Sequence, residues 1–245
     1  MQLTVPNSYI VSFMPGARGR LIANILYKLV NNESTPIIFT EHNSAHTRIE
    51  NWDMQYISDI SQLHTNEYKK PVFFTHLYPS WNTTNTIFIN VPSYKVEEVC
   101  LNAVIKNVIS KIELLQKGNS FNHLQTNFIK PYEQFLPNNY IEILSDTQKL
   151  KVFLQSIQSS FVPKMESYYT DFIDNTRLKD KGVFFIDYDR MFDKNQGKYV
   201  VLKQLTDWTN VEYTTDIHNI FEQYDLDKYK IFEKYCPWLK GEMKW

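Results

Sequence analysis

Two short stretches of this sequence hold residue types that perform group transfer. The first is MPGARGRL, Met14 to Leu21, lying between an apolar run and an amphipathic run. A glycine-rich turn leading from a strand into a helix exposes backbone N–H groups at the positive end of the helix dipole. Pro15, Gly16, Ala17 and Gly19 provide such a turn, and Arg18 and Arg20 add guanidinium forks suited to phosphate or sulfate. The second stretch is VFFTHLYP, Val72 to Pro79, which places His76 just past another apolar run. A histidine with an ordinary pKa of about 6.5 can take a proton from a hydroxyl near neutrality. Its plainer alternative is a histidine hydrogen-bonded at a strand end.

The first turn departs from the G-x-x-x-x-G-K-[ST] phosphate loop in three places. With Gly19 on the second glycine, Met14 falls on the first, Arg20 on the lysine and Leu21 on the magnesium-binding Ser/Thr. That leaves an anion cradle without a metal ligand, which suits sulfuryl transfer, because this group carries less charge than a phosphoryl group.

Other constellations compete with this pair. Glu41, His42, His46 and His76 offer metal-ligand types, but TEHNSAHTR is polar and irregular, so a loop of solvated histidines is the expectation, with no metal. VFFIDYD, Val183 to Asp189, fits a strand ending in a magnesium-binding Asp187, the basis for an alternative kinase-like reading. In INVPSYKVEEV, Ile89 to Val99, a strand ends at Asn90 and Ser93 opens a helix, whose N-terminus is a weaker phosphate site.

These residues need a scaffold that gathers strand ends. Continuous apolar runs at Tyr9–Met14, Pro36–Thr40, Pro71–Thr75, Thr86–Ile89 and Gly182–Asp187 read as buried strands of a parallel sheet. Leu21, Ile22, Ile25, Leu26 and Leu29 recur at helical spacing up to Asn31-Asn32, where a left-handed cap is tolerated. Further helices are expected at Trp52–Leu63, Ser93–Lys117, Gln196–Trp208 and Ile217–Tyr235. The segment 120–180 carries helical patterns broken by Pro131, Pro137 and Pro163, and reads as a helical insertion over the sheet. Its aromatic residues, among them Phe135, Phe153, Phe161, Tyr168 and Phe172, are expected to be mostly core. Strands alternating with helices imply right-handed crossovers and a single α/β domain over 1–245, with a central parallel sheet of about five strands. Ligands in such sheets bind beyond the carboxyl ends of the strands.

Composition sets the remaining bounds. With 26 Lys+Arg against 27 Asp+Glu in 245 residues, no overall field draws the chain to nucleic acid or an anionic membrane, so any anion site is local. Its two cysteines lack C-x-x-C spacing. No apolar run approaches the roughly 18 residues of a membrane span, and MQLTVPNS lacks a basic leader region. A cytoplasmic protein is expected.

The PGARGR turn, paired with Thr75-His76-Leu77 and Pro79, resembles the sulfotransferase family, whose members use 3′-phosphoadenosine 5′-phosphosulfate (PAPS). The resemblance implies a three-layer P-loop fold, PAPS as donor, no metal, and a small-molecule or glycan hydroxyl as acceptor. Thr75-His76-Leu77 is similar to the family's T-H-L-P element, one residue inserted, which implies that His76 is the catalytic base. Tyr188-Asp189-Arg190-Met191 resembles its Y-E-D-M element. Residues 15–21 then correspond to the 5′-phosphosulfate loop P-K-S-G-T-T, with Arg18 or Arg20 in place of the lysine charge and the hydroxyls lost. Asn90 and Ser93 fall at the 3′-phosphate element R-N-P-x-D, where Asn90 replaces the arginine and Glu98 the serine. A descendant of the fold that binds an anion or a partner without catalysis is the other reading.

Overall fold

The computed structural model describes residues 8–32, 37–39, 45–47, 54–63, 68–79, 85–104, 130–178, 182–192, 197–212, 217 and 219. Tyr9–Phe13 forms β1, an apolar strand buried on both faces, as a continuous YIVSF run requires of a central strand. It pairs in parallel with Val72–Thr75 on one side, Tyr9 opposite Val72, and with Thr86–Asn90 on the other, Ile10 opposite Thr86. Counting Ile37–Phe39 as β2, Ala45–Thr47 as β3 and Met54–Tyr56 as β4, these partners are β5 and β6, and Phe184–Asp187 is β7. The sheet runs β4-β5-β1-β6-β7 with every pairing parallel. Helices flank it, so the chain is α/β.

Helix α1, Gly19–Asn31, packs on β1 and β5, and every residue from Leu21 to Val30 is buried. It ends where Asn32 turns left-handed (φ 50°) and its N–H bonds back to Leu29 O, the cap the Asn-Asn pair predicts. The β1-to-β4 connection and the β6-to-β7 connection cross the sheet in opposite directions. Right-handed crossovers therefore send α1 and α2, Val96–Val104, to opposite faces. The connections leaving β1 and β6 thus diverge, the arrangement beside which α/β sheets bind ligands at the strands' carboxyl ends.

Two expectations about elements are overturned. Of the run 36–40, the described Ile37–Phe39 does not enter the parallel sheet: it pairs antiparallel with Ala45–Thr47 in a separate two-stranded sheet. Nor is 52–63 a helix. Met54–Tyr56 is the edge strand β4, its ladder continued by Ile57 N–H to Phe74 O at 3.0 Å, and only Ile60–Gln62 makes a 3-10 turn. In Met-Gln-Tyr-Ile apolar and polar residues almost alternate, and pairing along β5 outweighs a weak helical spacing.

Beyond α2, described helices α3 (Tyr140–Ser145), α4 (Thr147–Gln155), α5 (Ile157–Ser160) and α6 (Val162–Tyr168) build the insertion. Asp146 caps α4 by accepting from Gln148 N–H and Lys149 N–H. Phe135, Tyr140, Phe153, Phe161, Tyr169 and Phe172 are buried, whereas Tyr168 is exposed. Phe172 stacks on Phe88 of β6 with centroids 5.2 Å apart, and Ile173 makes a parallel bridge to Val91, which ties the insertion to the sheet. Helix α7, Gly197–Thr209, carries Trp208 onto Phe184 at 5.0 Å and Tyr9 at 5.5 Å. The expected helices at 105–117 and beyond 219 lie outside the described residues. Among those described, no helix is long and apolar enough to cross a membrane.

Candidate functional site

The site is built where β1 and β5 end side by side. After Phe13 the chain turns at Pro15-Gly16, and Ala17 N–H returns to Met14 O at 3.0 Å. Gly16 has φ +89°, and a Cβ there would lie 2.0 Å from Val99 O of α2. Glycine is thus required twice, by the backbone and by the close approach. Arg18 is also left-handed, φ 60° and ψ 18°, at the N-cap of α1. A Cβ on Gly19 would meet the Phe13 ring at 2.0 Å. Among the described residues the N–H groups of Gly16, Gly19 and Arg20 make no hydrogen bond, so they remain available to an anion. Ala17 and Leu21 are core residues, and only their backbone borders the turn.

The two arginines part company. Arg18 is buried and turns inward, its Nη2 donating to Asn102 Oδ1 at 2.6 Å. Asn102 Nδ2 donates to the Tyr188 hydroxyl, which donates to Glu98 Oε1 at 2.9 Å. α2 thus takes Nη2 of the Arg18 guanidinium, one of the two expected to face the donor. Arg20 remains at the site. Its guanidinium lies 5.4 Å from the Phe74 ring centroid, and its buried Nε has no hydrogen-bond partner among the described residues. Burial lowers its pKa, yet an arginine stays cationic at neutral pH.

Three hydrogen bonds fix the segment after β5. Ser12 Oγ donates to Leu77 O at 2.6 Å, and Leu77 N–H donates to Thr75 Oγ1 at 3.1 Å. His76 Nδ1 is 2.8 Å from Phe13 O. A carbonyl only accepts, so Nδ1 carries the proton and Nε2 keeps its lone pair. The imidazole is half-buried between the rings of Phe13 (4.7 Å, edge-on) and Tyr56 (5.3 Å). Desolvation lowers its pKa to about 4 against the opposing effect of the Phe13 bond, so it is neutral at pH 7.

On the other side of β1, the Asn90 side chain and the Ser93 N–H bond within the fold. Asn90 Nδ2 donates to Asp187 Oδ1 at 2.9 Å, and its Oδ1 accepts from Asn175 N–H at 2.8 Å. Ser93 N–H donates to Asp174 Oδ1 at 3.0 Å. A carboxylate thus stands at the helix entry where a phosphate was expected, with Asp187 and Asp189 near. Asp187 is held by Asn90, with Arg190 Nε at 3.7 Å, and Tyr94 donates to Asp189.

Residues 41 and 42 lie outside the described residues, and His46 sits on β3. No group of three or more His, Cys, Asp or Glu side chains assembles for a metal among the described residues. Sequence reasoning missed Tyr56, Phe74 and Asn102. For Asn102 a signal existed: Glu98 and Asn102 are polar residues four apart on a helix that is apolar but for them and Glu97. No family model, curated protein or solved structure matches this chain.

Proposed function

We propose that the chain is a sulfotransferase-like enzyme of P-loop type that moves a sulfuryl group from PAPS to a hydroxyl acceptor. The observation that carries this reading is the hydrogen bond from His76 Nδ1 to Phe13 O. It leaves a basic Nε2 at the same sheet edge as the unengaged amides of Gly16, Gly19 and Arg20. The acceptor's proton would pass to Nε2, as the acceptor oxygen forms its bond to sulfur and the bridging oxygen departs with the electron pair of the broken bond. Turn amides and the Arg20 guanidinium would hold the charge that develops there. A bound anion beside His76 favours the imidazolium and lifts its pKa from about 4 toward neutrality, which improves the base where it is needed.

The residues fit the 5′ end of this donor. They do not fit its 3′-phosphate at Asn90 and Ser93, which the Asp174 carboxylate would repel. That contact favours the second reading, a non-catalytic anion- or partner-binding descendant. A kinase-like reading is weaker, since the hydroxyl position for magnesium is the buried Leu21. Thermal-shift and calorimetric titrations with adenosine 3′,5′-bisphosphate and with Mg-ATP separate the three. Stabilisation by the bisphosphate supports sulfuryl transfer, by Mg-ATP the kinase, and by neither the non-catalytic protein. His76→Ala should abolish turnover at near-normal bisphosphate affinity; retained turnover removes the base role.

A further inference from the structure

We propose that Arg18 is a positioning residue, which bolts the β1–α1 turn to α2 so that the amides of Gly16, Gly19 and Arg20 face a bound oxyanion. The proposal rests on reading that turn as an anion cradle. Its starting point is a mismatch between residue and backbone: φ 60° and ψ 18° suit glycine, and a side chain there is disfavoured. Glycines stand two residues before and one residue after, yet this position is an arginine. Its guanidinium accounts for the choice, with Nη2 on Asn102 Oδ1 at 2.6 Å and the residue only 5% exposed.

The anchor is itself anchored. Asn102 holds Tyr188, fully buried behind β7, and Tyr188 holds Glu98, which Lys95 also engages at 3.0 Å. Gly16 adds a second fastening one helical turn away, pressed against the Val99 carbonyl. On the opposite side Gly19 lies under the Phe13 ring, and the Phe13 carbonyl receives His76. The turn is clamped between α2 and the β5 end, so releasing Arg18 frees it to leave the left-handed geometry and turn its amides away. Arg18 acts through the backbone and not on the anion.

The test is an amide-resolved NMR titration of the full chain with inorganic sulfate and with adenosine 3′,5′-bisphosphate at constant ionic strength. Wild type, Arg18→Gly, Asn102→Ala, the double variant and Arg18→Lys are compared, each with a thermal melt. Arg18→Gly removes the anchor while leaving the left-handed backbone unstrained. In wild type the Gly16, Gly19 and Arg20 amides should shift, and each single anchor variant should bind on the order of 2- to 30-fold more weakly. The double variant should be no weaker than its weaker parent, because the Arg18–Asn102 bond that fastens the turn is already lost in each single variant. Arg18→Lys, which keeps a cationic donor, should recover part of the loss. Arg18→Gly binding sulfate as well as wild type, or a lower melting temperature with unchanged affinity, overturns the positioning role while leaving the cradle intact. Absence of any wild-type shift at these amides removes the cradle and this proposal together. If Arg18→Gly does not fold, Asn102→Ala and Arg18→Lys decide by the same criteria.

Discussion

His76 makes stability near pH 5 depend on one imidazole, and His76→Asn exposes that dependence. The ring is desolvated between Phe13 and Tyr56, which lowers its pKa from 6.5 to about 4. An unfolded chain therefore binds this proton more readily than the folded one wherever the pH lies between those values. The contribution is present in full above the unfolded value and is lost as pH falls toward the folded one. A shift of 6.5 − 4 = 2.5 pH units corresponds to about 3 kcal/mol in the acid limit, of which about 2 kcal/mol is lost between pH 7 and 5. The imidazole is only half-buried, and solvent reduces the expected loss to about 1 kcal/mol. Asparagine keeps an N–H able to reach the Phe13 carbonyl but does not titrate. Urea unfolding of both proteins at half-unit steps from pH 7.5 to 4.5 then isolates the term, because every other acid and base is common to the pair. Between pH 7 and 5 the wild type should lose about 1 kcal/mol more than His76→Asn. Parallel curves, or a wild type that gains stability on acidification, would refute the desolvated-ring account.

The glycines of the turn should not be interchangeable. Gly16→Ala drives a Cβ into the Val99 carbonyl at a φ that side chains avoid, and should cost about 2–5 kcal/mol of unfolding free energy. Gly19→Ala meets the Phe13 ring first and should cost about 1–3 kcal/mol, partly recovered by Phe13→Leu; equal losses measured by urea titration contradict this. Burial pushes the Cys100 thiol up to about 12, so in a Cys236→Ser background a thiol-specific disulfide reagent should label Cys100 only as fast as the chain opens. Stoichiometric labelling of the native protein within seconds would place the thiol at the surface.

The central parts of the fold were legible because local and tertiary demands agree there. YIVSF, VFFT and TIFI are largely apolar and form strands buried on both faces, FFID forms the half-buried edge strand β7, and Asn32 suits the left-handed cap it makes. Met54–Tyr56 was not legible, because an edge strand has one wet side and needs β5 to exist before its pattern means anything. That His76 and the first turn share a sheet edge followed from each closing an apolar run of a parallel sheet, whereas their adjacency depends on β5 lying beside β1, which neither run announces. The fate of the two arginines did not, since identical side chains two residues apart are separated only by where α2 lies. Asp174 was equally hidden: its partner Ser93 is 81 residues away, and no pattern in either segment announces the other.

The sheet's first strand in sequence is also its middle one, and this has a temporal consequence. Tyr9 waits for Val72, and Ile10 for Thr86, before either edge of β1 is satisfied. Such distant pairings slow folding, because loop closure must precede the contacts that reward it. On the ribosome, YIVSF emerges with both hydrogen-bonding edges open; one has no partner until Thr75 has cleared the exit tunnel, and the other none until Asn90 has. For that interval it is a short, uncharged, strand-prone segment of the kind that pairs with copies of itself. Nascent chains halted before this point are therefore the form of the protein most in need of a chaperone.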